Sequence, residues 1–185
     1  MTTHTPLALP EVLIITPKRH GDARGWFVET WSRRAMLDVG LDIDFVQDNQ
    51  AFSAKAGTVR GLHFQAAPHA QAKLVRVLRG AIFDVALDIR PGSATYGQWA
   101  GATLSAEGGE QLFVPRGFAH GYCTLTDDCE LAYKVDGLYA PQTEGGVLWC
   151  DPALGIEWPV SREAAVLSDK DRVLPTLADM QAVTF

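Results

Sequence analysis

The sequence predicts a mainly β protein, an antiparallel sandwich or barrel with a few short helices at its flanks. Three observations carry that expectation. Short runs alternate apolar and polar residues with the period of two of a strand. Glycine- and proline-rich turn signals separate those runs at short intervals. Helical periodicity is weak almost everywhere. Many short strands joined by such turns imply sheet packed on sheet, of which the double-sheet jelly roll is one form.

Taken along the chain, residues 1–50 read as a flank. Within it SRRAMLDVG is the best helical candidate: Ser32 can cap it, Ala35, Met36 and Val39 can share a face, and Gly40 can stop it. The stretch RGLHFQAAPHAQAKLVRV (60–77) reads as two strands around a loop, with Leu62, Phe64, Leu74, Val75 and Val77 as their apolar members. His69 falls in that loop and takes no role. AIFDVALDIR (81–90) is the clearest strand. Phe83, Val85, Leu87 and Ile89 point one way and Asp84, Asp88 and Arg90 the other, the pattern of a half-buried strand. PGSATYG turns the chain into QWAGATL, AEGGE turns it into QLFVP, and HGYCTL and CELAYKV follow. From Pro159 the tail is mixed, with a possible short helix and the polar LSDKD. The expectation is one domain over residues 1–185, with a β core at about 45–160 and both flanks packed on it.

Composition narrows the function classes. A hydrophobic fraction of 47% and a charged fraction of 21% are ordinary for a globular protein. No run of eighteen apolar residues suggests a membrane helix, and the start MTTHTPLALPEV lacks the pattern of a signal peptide. Cys123, Cys129 and Cys150 are odd in number and form no CxxC pair, which fits a reducing cytoplasm. A net charge of −6 argues against nucleic-acid binding. It leaves room for a small anionic ligand, which needs only two or three local cations.

GEQLFVPRGFAHG (109–121) has the pattern G-x5-P-x-G-x2-H, made by Gly109, Pro115, Gly117 and His120. It resembles the second motif of the cupin superfamily, whose fold is a small jelly-roll barrel. Metal-binding cupins carry H-x-H and a glutamate earlier in the chain. Here His63 is followed two positions on by Gln65, and an amide oxygen is a poor substitute for imidazole or carboxylate. No metal and no cofactor are expected.

Single residues leave bland readings open. Tyr133 in CELAYKV shares its face with Leu131 and Val135 and could be a core tyrosine. His63 could be a structural strand histidine, Lys73 a solvated strand start, Arg24 a turn arginine and Arg60 a strand-edge cation. As a set they suit proton abstraction beside a carbonyl: a histidine base, a lysine to stabilise the enolate, and a tyrosine to return a proton.

Eight ordered segments then resemble the dTDP-4-dehydrorhamnose 3,5-epimerase family, cofactor-independent members of the cupin superfamily. They are DARGWFVE (22–29), FVQDNQAFS (45–53), VRGLHFQ (59–65), AQAKLVRVLRGAIFDVALDIR (70–90), LSAEGGEQLFVPRGFAHGY (104–122), AYKVDGLYAP (132–141), EGGVLWCDPALGIEWP (144–159) and LSDKD (167–171). The resemblance implies His63 as general base, paired with Asp171 in preference to Asp169. It implies Lys73 as the enolate stabiliser and Tyr133 as the acid on the opposite face. It assigns Arg24, Glu29, Gln47, Asp48, Asn49, Arg60, His120, Glu144 and Lys170 to holding the nucleotide-sugar, and Tyr139 to stacking on thymine. Some of these contacts cross a dimer interface in the family, so a homodimer is expected. Trp26 and Cys150 depart from common family residues without touching a catalytic role.

The implied reaction is inversion at C3 and C5 of dTDP-4-dehydro-6-deoxy-D-glucose to give dTDP-4-dehydro-L-rhamnose. Three alternatives stand beside it: a single-position epimerase of a related deoxysugar, a metal-dependent cupin oxygenase or isomerase, and a non-catalytic nucleotide-sugar binding module.

Overall fold

A computed structural model describes residues 1–185. The chain opens with β1 (Thr3–Pro6), β2 (Leu13–Thr16), a hairpin of β3 (Arg19–Asp22) and β4 (Gly25–Val28), and helix α1 (Arg33–Asp38). The central strands are β5 (Gln47–Ser53), β6 (Val59–Gln65), β7 (Lys73–Arg79), β8 (Ala81–Asp88), β9 (Trp99–Ser105), β10 (Gln111–Val114), β11 (Phe118–Thr124) and β12 (Cys129–Val135). A short 3₁₀ turn at Pro141–Thr143 leads into β13 (Glu144–Gly146), and α2 (Asp169–Arg172) lies near the end.

Two antiparallel sheets face each other as a jelly-roll barrel. One has the order β1-β2-β10-β7-β12-β5, the other β13-β6-β11-β8-β9. The lumen between them is filled from both: Val75, Val77, Leu112, Val114 and Leu131 meet Ile82, Ala86, Ala100, Leu104 and Phe118. Burying each of the larger side chains stabilises the fold by about 1.5–3 kcal/mol.

Period-two alternation leaves each sheet a second apolar face, and each is covered. On the six-stranded sheet, Leu13, Ile15, Leu74 and Phe113 pack against Met36 and Val39 around α1. That helix forms as its sequence requires, with the Ser32 hydroxyl accepting from the Ala35 amide at 3.3 Å and Gly40 following at φ +85°. On the five-stranded sheet, Leu62, Phe64, Val85, Leu87 and Ile89 lie under Leu177, Met180, Val183 and Phe185 of the C-terminal segment.

Two sequence expectations change here. Strand β8 is buried on both faces, and Asp84 and Asp88 are fully buried where a half-buried strand would have put them in water. The alternation is real, but its apolar side faces the C-terminal segment and its acidic side faces the lumen. The N-terminal flank also does more than pack on the core. β1 pairs with β2, and β2 pairs with β10, so both extend the six-stranded sheet.

Glycine matters where β6 meets β11. Gly61 has φ +115°, and a Cβ there would lie 2.6 Å from the Gly121 Cα and the His120 carbonyl oxygen. That close approach seats His63 directly opposite His120 across the strand pair.

Candidate active site

The lumen opens into a cavity of about 450 Å3 and an adjoining lobe of about 290 Å3. His63, Lys73 and Tyr133 line both, so they sit where the lobes join. Together the lobes have the dimensions of a small-ligand site.

His63 Nε2 lies 2.6 Å from Asp171 Oδ1. Asp171 is buried at 3% exposure, whereas Asp169 is exposed. The local cause is the N-terminus of α2, where the Ser168 hydroxyl accepts from the Asp171 amide at 3.2 Å and turns that carboxylate inward. Burial opposes ionisation of Asp171, but the His63 bond and charge outweigh it and hold the carboxyl below its ordinary range. An ionised carboxylate only accepts. In the neutral ring the hydrogen therefore sits on Nε2 and the lone pair on Nδ1.

Lys73 starts β7 on the facing sheet, with Nζ at 3.5 Å from the His63 carbonyl oxygen. Burial lowers its pKa to about 8 against the pull of Asp84 and Glu144, so it carries a proton at neutral pH. Tyr133 comes from β12, also on the facing sheet, and burial pushes its phenol up, keeping it protonated. Base and acid candidates thus occupy opposite walls. His120 bonds through Nε2 to Asp84 Oδ1 at 2.7 Å, and burial pushes its pKa down despite that partner.

The other expected residues divide. Gln47, Asn49, Tyr139 and Glu144 line the smaller lobe, and Arg60, His120 and Lys170 the larger. Arg60 is steadied by the Ser53 hydroxyl at 3.3 Å and the Phe52 carbonyl at 3.0 Å. Lys170 pairs with Glu144 at 2.6 Å, and Tyr139 donates to Glu144 at 3.0 Å, linking the lobes. Asp48 lies outside the cavity: it alternates with Gln47 and Asn49 on β5, so its side chain turns outward to Lys134 at 2.8 Å. Arg24 and Glu29 also lie outside the chain's own cavity. Arg24 is on the β3–β4 hairpin, paired with Asp22 at 2.6 Å, and Glu29 accepts from the Ser32 hydroxyl at 2.7 Å. Gln65 takes a wall role, accepting from the Ala140 amide at 3.0 Å and the Thr143 hydroxyl at 3.2 Å.

Two site residues went unread in the sequence. Tyr122 lines the cavity two positions after His120, so strand periodicity alone could have placed it there. Asp84 carried the same signal but was assigned to the solvent side.

The fold is shared with solved enzymes. The dTDP-6-deoxy-D-glucose-3,5-epimerase of Legionella pneumophila, solved in complex with dTDP-4-keto-L-rhamnose, superposes with TM-score 0.93 at 41% identity, covering 100% of this chain and 98% of that one. The dTDP-4-dehydrorhamnose 3,5-epimerase of Bacillus anthracis, with TDP and PPi bound, gives 0.92 at 45% identity, covering 95% and 99%. The scaffold is that of isomerases built on a cupin-like jelly roll. A family model for dTDP-4-dehydrorhamnose 3,5-epimerase matches residues 6–179. A relative of that name from Sinorhizobium fredii is 51% identical over 178 residues, 94% of this chain and 89% of its own length. The chain belongs to the dTDP-4-dehydrorhamnose 3,5-epimerase family.

Proposed function

We propose that this chain inverts C3 and C5 of dTDP-4-dehydro-6-deoxy-D-glucose, giving dTDP-4-dehydro-L-rhamnose. The observation that carries the reading is the His63–Asp171 pair on one wall of the cavity with Lys73 and Tyr133 on the other. His63 Nδ1 takes the proton beside the C4 ketone, and Asp171 stabilises the imidazolium that forms. The Lys73 ammonium offsets the charge developing on the enolate oxygen. Tyr133 returns a proton from the opposite face, which is what inversion requires. One group removing and returning the same proton would restore the starting centre.

Arg60 suits the diphosphate, since a guanidinium makes paired, charge-assisted hydrogen bonds to it. Gln47, Asn49, His120, Glu144 and Lys170 hold the rest of the nucleotide-sugar, with Tyr139 stacking on thymine. Substrate entry then exchanges the Lys170–Glu144–Tyr139 links for contacts to the ligand. The working form is a homodimer in the cytoplasm. Its second chain supplies Arg24 and Glu29 from a hairpin whose Trp26 and Phe27 are 62% and 70% exposed.

Incubation with the substrate in D2O, followed by NMR, tests the reading. Deuterium should enter both C3 and C5 as product forms. Entry at one carbon alone would assign a single-position epimerase, and entry at neither would remove the proposal.

A further inference from the structure

Asp84 is fully buried yet makes one hydrogen bond, from His120, and its second oxygen has no partner. A neutral amide could accept the same bond, so packing alone does not call for a charge here. Lys73 presents the complementary problem. Its Nζ makes one long hydrogen bond and has no carboxylate within ion-pair distance. It shares the lumen with His63 and Arg60 of β6, His120 and Tyr122 of β11, and Tyr133 of β12. Lys170 is a further cation there. The anions around it are Asp84 of β8, Glu144 of β13 and Asp171 of α2.

Two of those carboxylates are already engaged. Glu144 is tied to Lys170 and Tyr139, and Asp171 to His63. Of the three, Asp84 alone keeps a buried oxygen with no partner.

We propose that Asp84 is a positioning residue for the epimerisation: its hydrogen bond fixes the His120 ring, and its buried charge holds Lys73 as an ammonium where the enolate forms. This rests on the epimerase reading above. The His120 bond leaves that ring's Nδ1 with the lone pair, an acceptor for a substrate hydroxyl. Asp84 is also the larger of the two charges that raise the Lys73 pKa against burial.

The test is the pH profile of kcat/KM for turnover of dTDP-4-dehydro-6-deoxy-D-glucose. Wild type should lose activity above about pH 8, as Lys73 deprotonates. Asp84→Asn keeps the shape and the bond to His120 but removes the charge. Its alkaline limb should move down by roughly one pH unit, and kcat at pH 7.5 should fall by about threefold, with KM little changed. Asp84→Ser, a smaller uncharged variant, should move the limb the same way, whereas Asp84→Glu should leave it in place.

An unmoved limb in the folded uncharged variants, or a loss confined to KM, overturns the proposal. If both uncharged variants fail to fold in thermal melts, Asp84 belongs to the fold and the proposal is equally overturned. Wild-type protein without turnover would remove the epimerase reading and this role with it, an outcome distinct from an active wild type whose limb ignores residue 84.

Discussion

At the scale of single residues, the proposed chemistry divides along the two walls of the barrel. His63 sits on the five-stranded sheet, and Lys73 and Tyr133 on the six-stranded sheet. The division predicts unequal consequences for losing each group. His63→Ala should abolish deuterium entry at both carbons while dTDP binding, measured by calorimetry, stays within about threefold of wild type. Tyr133→Phe removes the proposed acid and leaves the proposed base intact, so exchange should persist while net inversion falls by about 100-fold or more. Full product formation by that variant would take the tyrosine out of the acid role. The resemblance named both residues, and period-two alternation had already put Tyr133 on an inward face. The His63–Asp171 pairing came from the resemblance alone. The two residues are 108 positions apart, and nothing in either local pattern encodes their meeting.

Strands and turns bring a different physics. Strand β8 ends in Asp88, whose carboxylate accepts from Arg90 Nε at 3.0 Å, from the Ser93 hydroxyl at 2.6 Å and from the Thr95 hydroxyl at 2.6 Å. Arg90 turns back on Glu11 at 2.7 Å, fastening the N-terminal segment to the β8–β9 connection. Burial works against ionising Asp88, but these bonds outweigh it and hold its pKa well below the ordinary carboxylate value. A carboxyl with a depressed folded pKa contributes stability that is complete above the unfolded pKa, near 3.9, and is lost as pH falls below it. Asp88→Asn should therefore lower stability at pH 7 by about 1.5–3 kcal/mol, since Arg90 keeps Glu11 as a partner. Its loss of stability in urea melts between pH 5 and pH 2 should also be shallower than that of wild type. Parallel slopes would place the acid sensitivity elsewhere. The sequence identified β8 and its period but mistook its surroundings, because alternation records two unlike faces and not which one meets water. Asp84 stays buried because an imidazole arrives from β11, and Asp88 because hydroxyls of the β8–β9 connection join Arg90, the one partner the strand pattern had already put on its face. The N-terminal strands escaped for a related reason: β1 is exposed along its whole length and carries no amphipathic signal.

For the whole molecule, the distribution of the expected ligand residues is the informative feature. Arg24 sits on a hairpin, 90% exposed along its side chain, and Trp26 and Phe27 beside it leave large apolar surfaces uncovered. A guanidinium meant for an anionic ligand gains nothing from that position within one chain, while a twofold partner would bring the hairpin to the neighbouring cavity. Complementation between inactive chains tests this directly. On the proposed reading, His63→Ala chains lack the base, and Arg24→Ala chains lack a cation that would be lent to the partner. In a mixed dimer both defects fall in one cavity, so the other keeps an intact His63 and receives an intact Arg24. Equal mixing with subunit exchange should restore about a quarter of wild-type turnover, well above the sum of the separate variants. If Arg24 served its own chain, each cavity of the mixed dimer would hold one defect and mixing would restore nothing. Light scattering on the wild type fixes the stoichiometry in the same experiment, and a monomer would refute the exchange of hairpins.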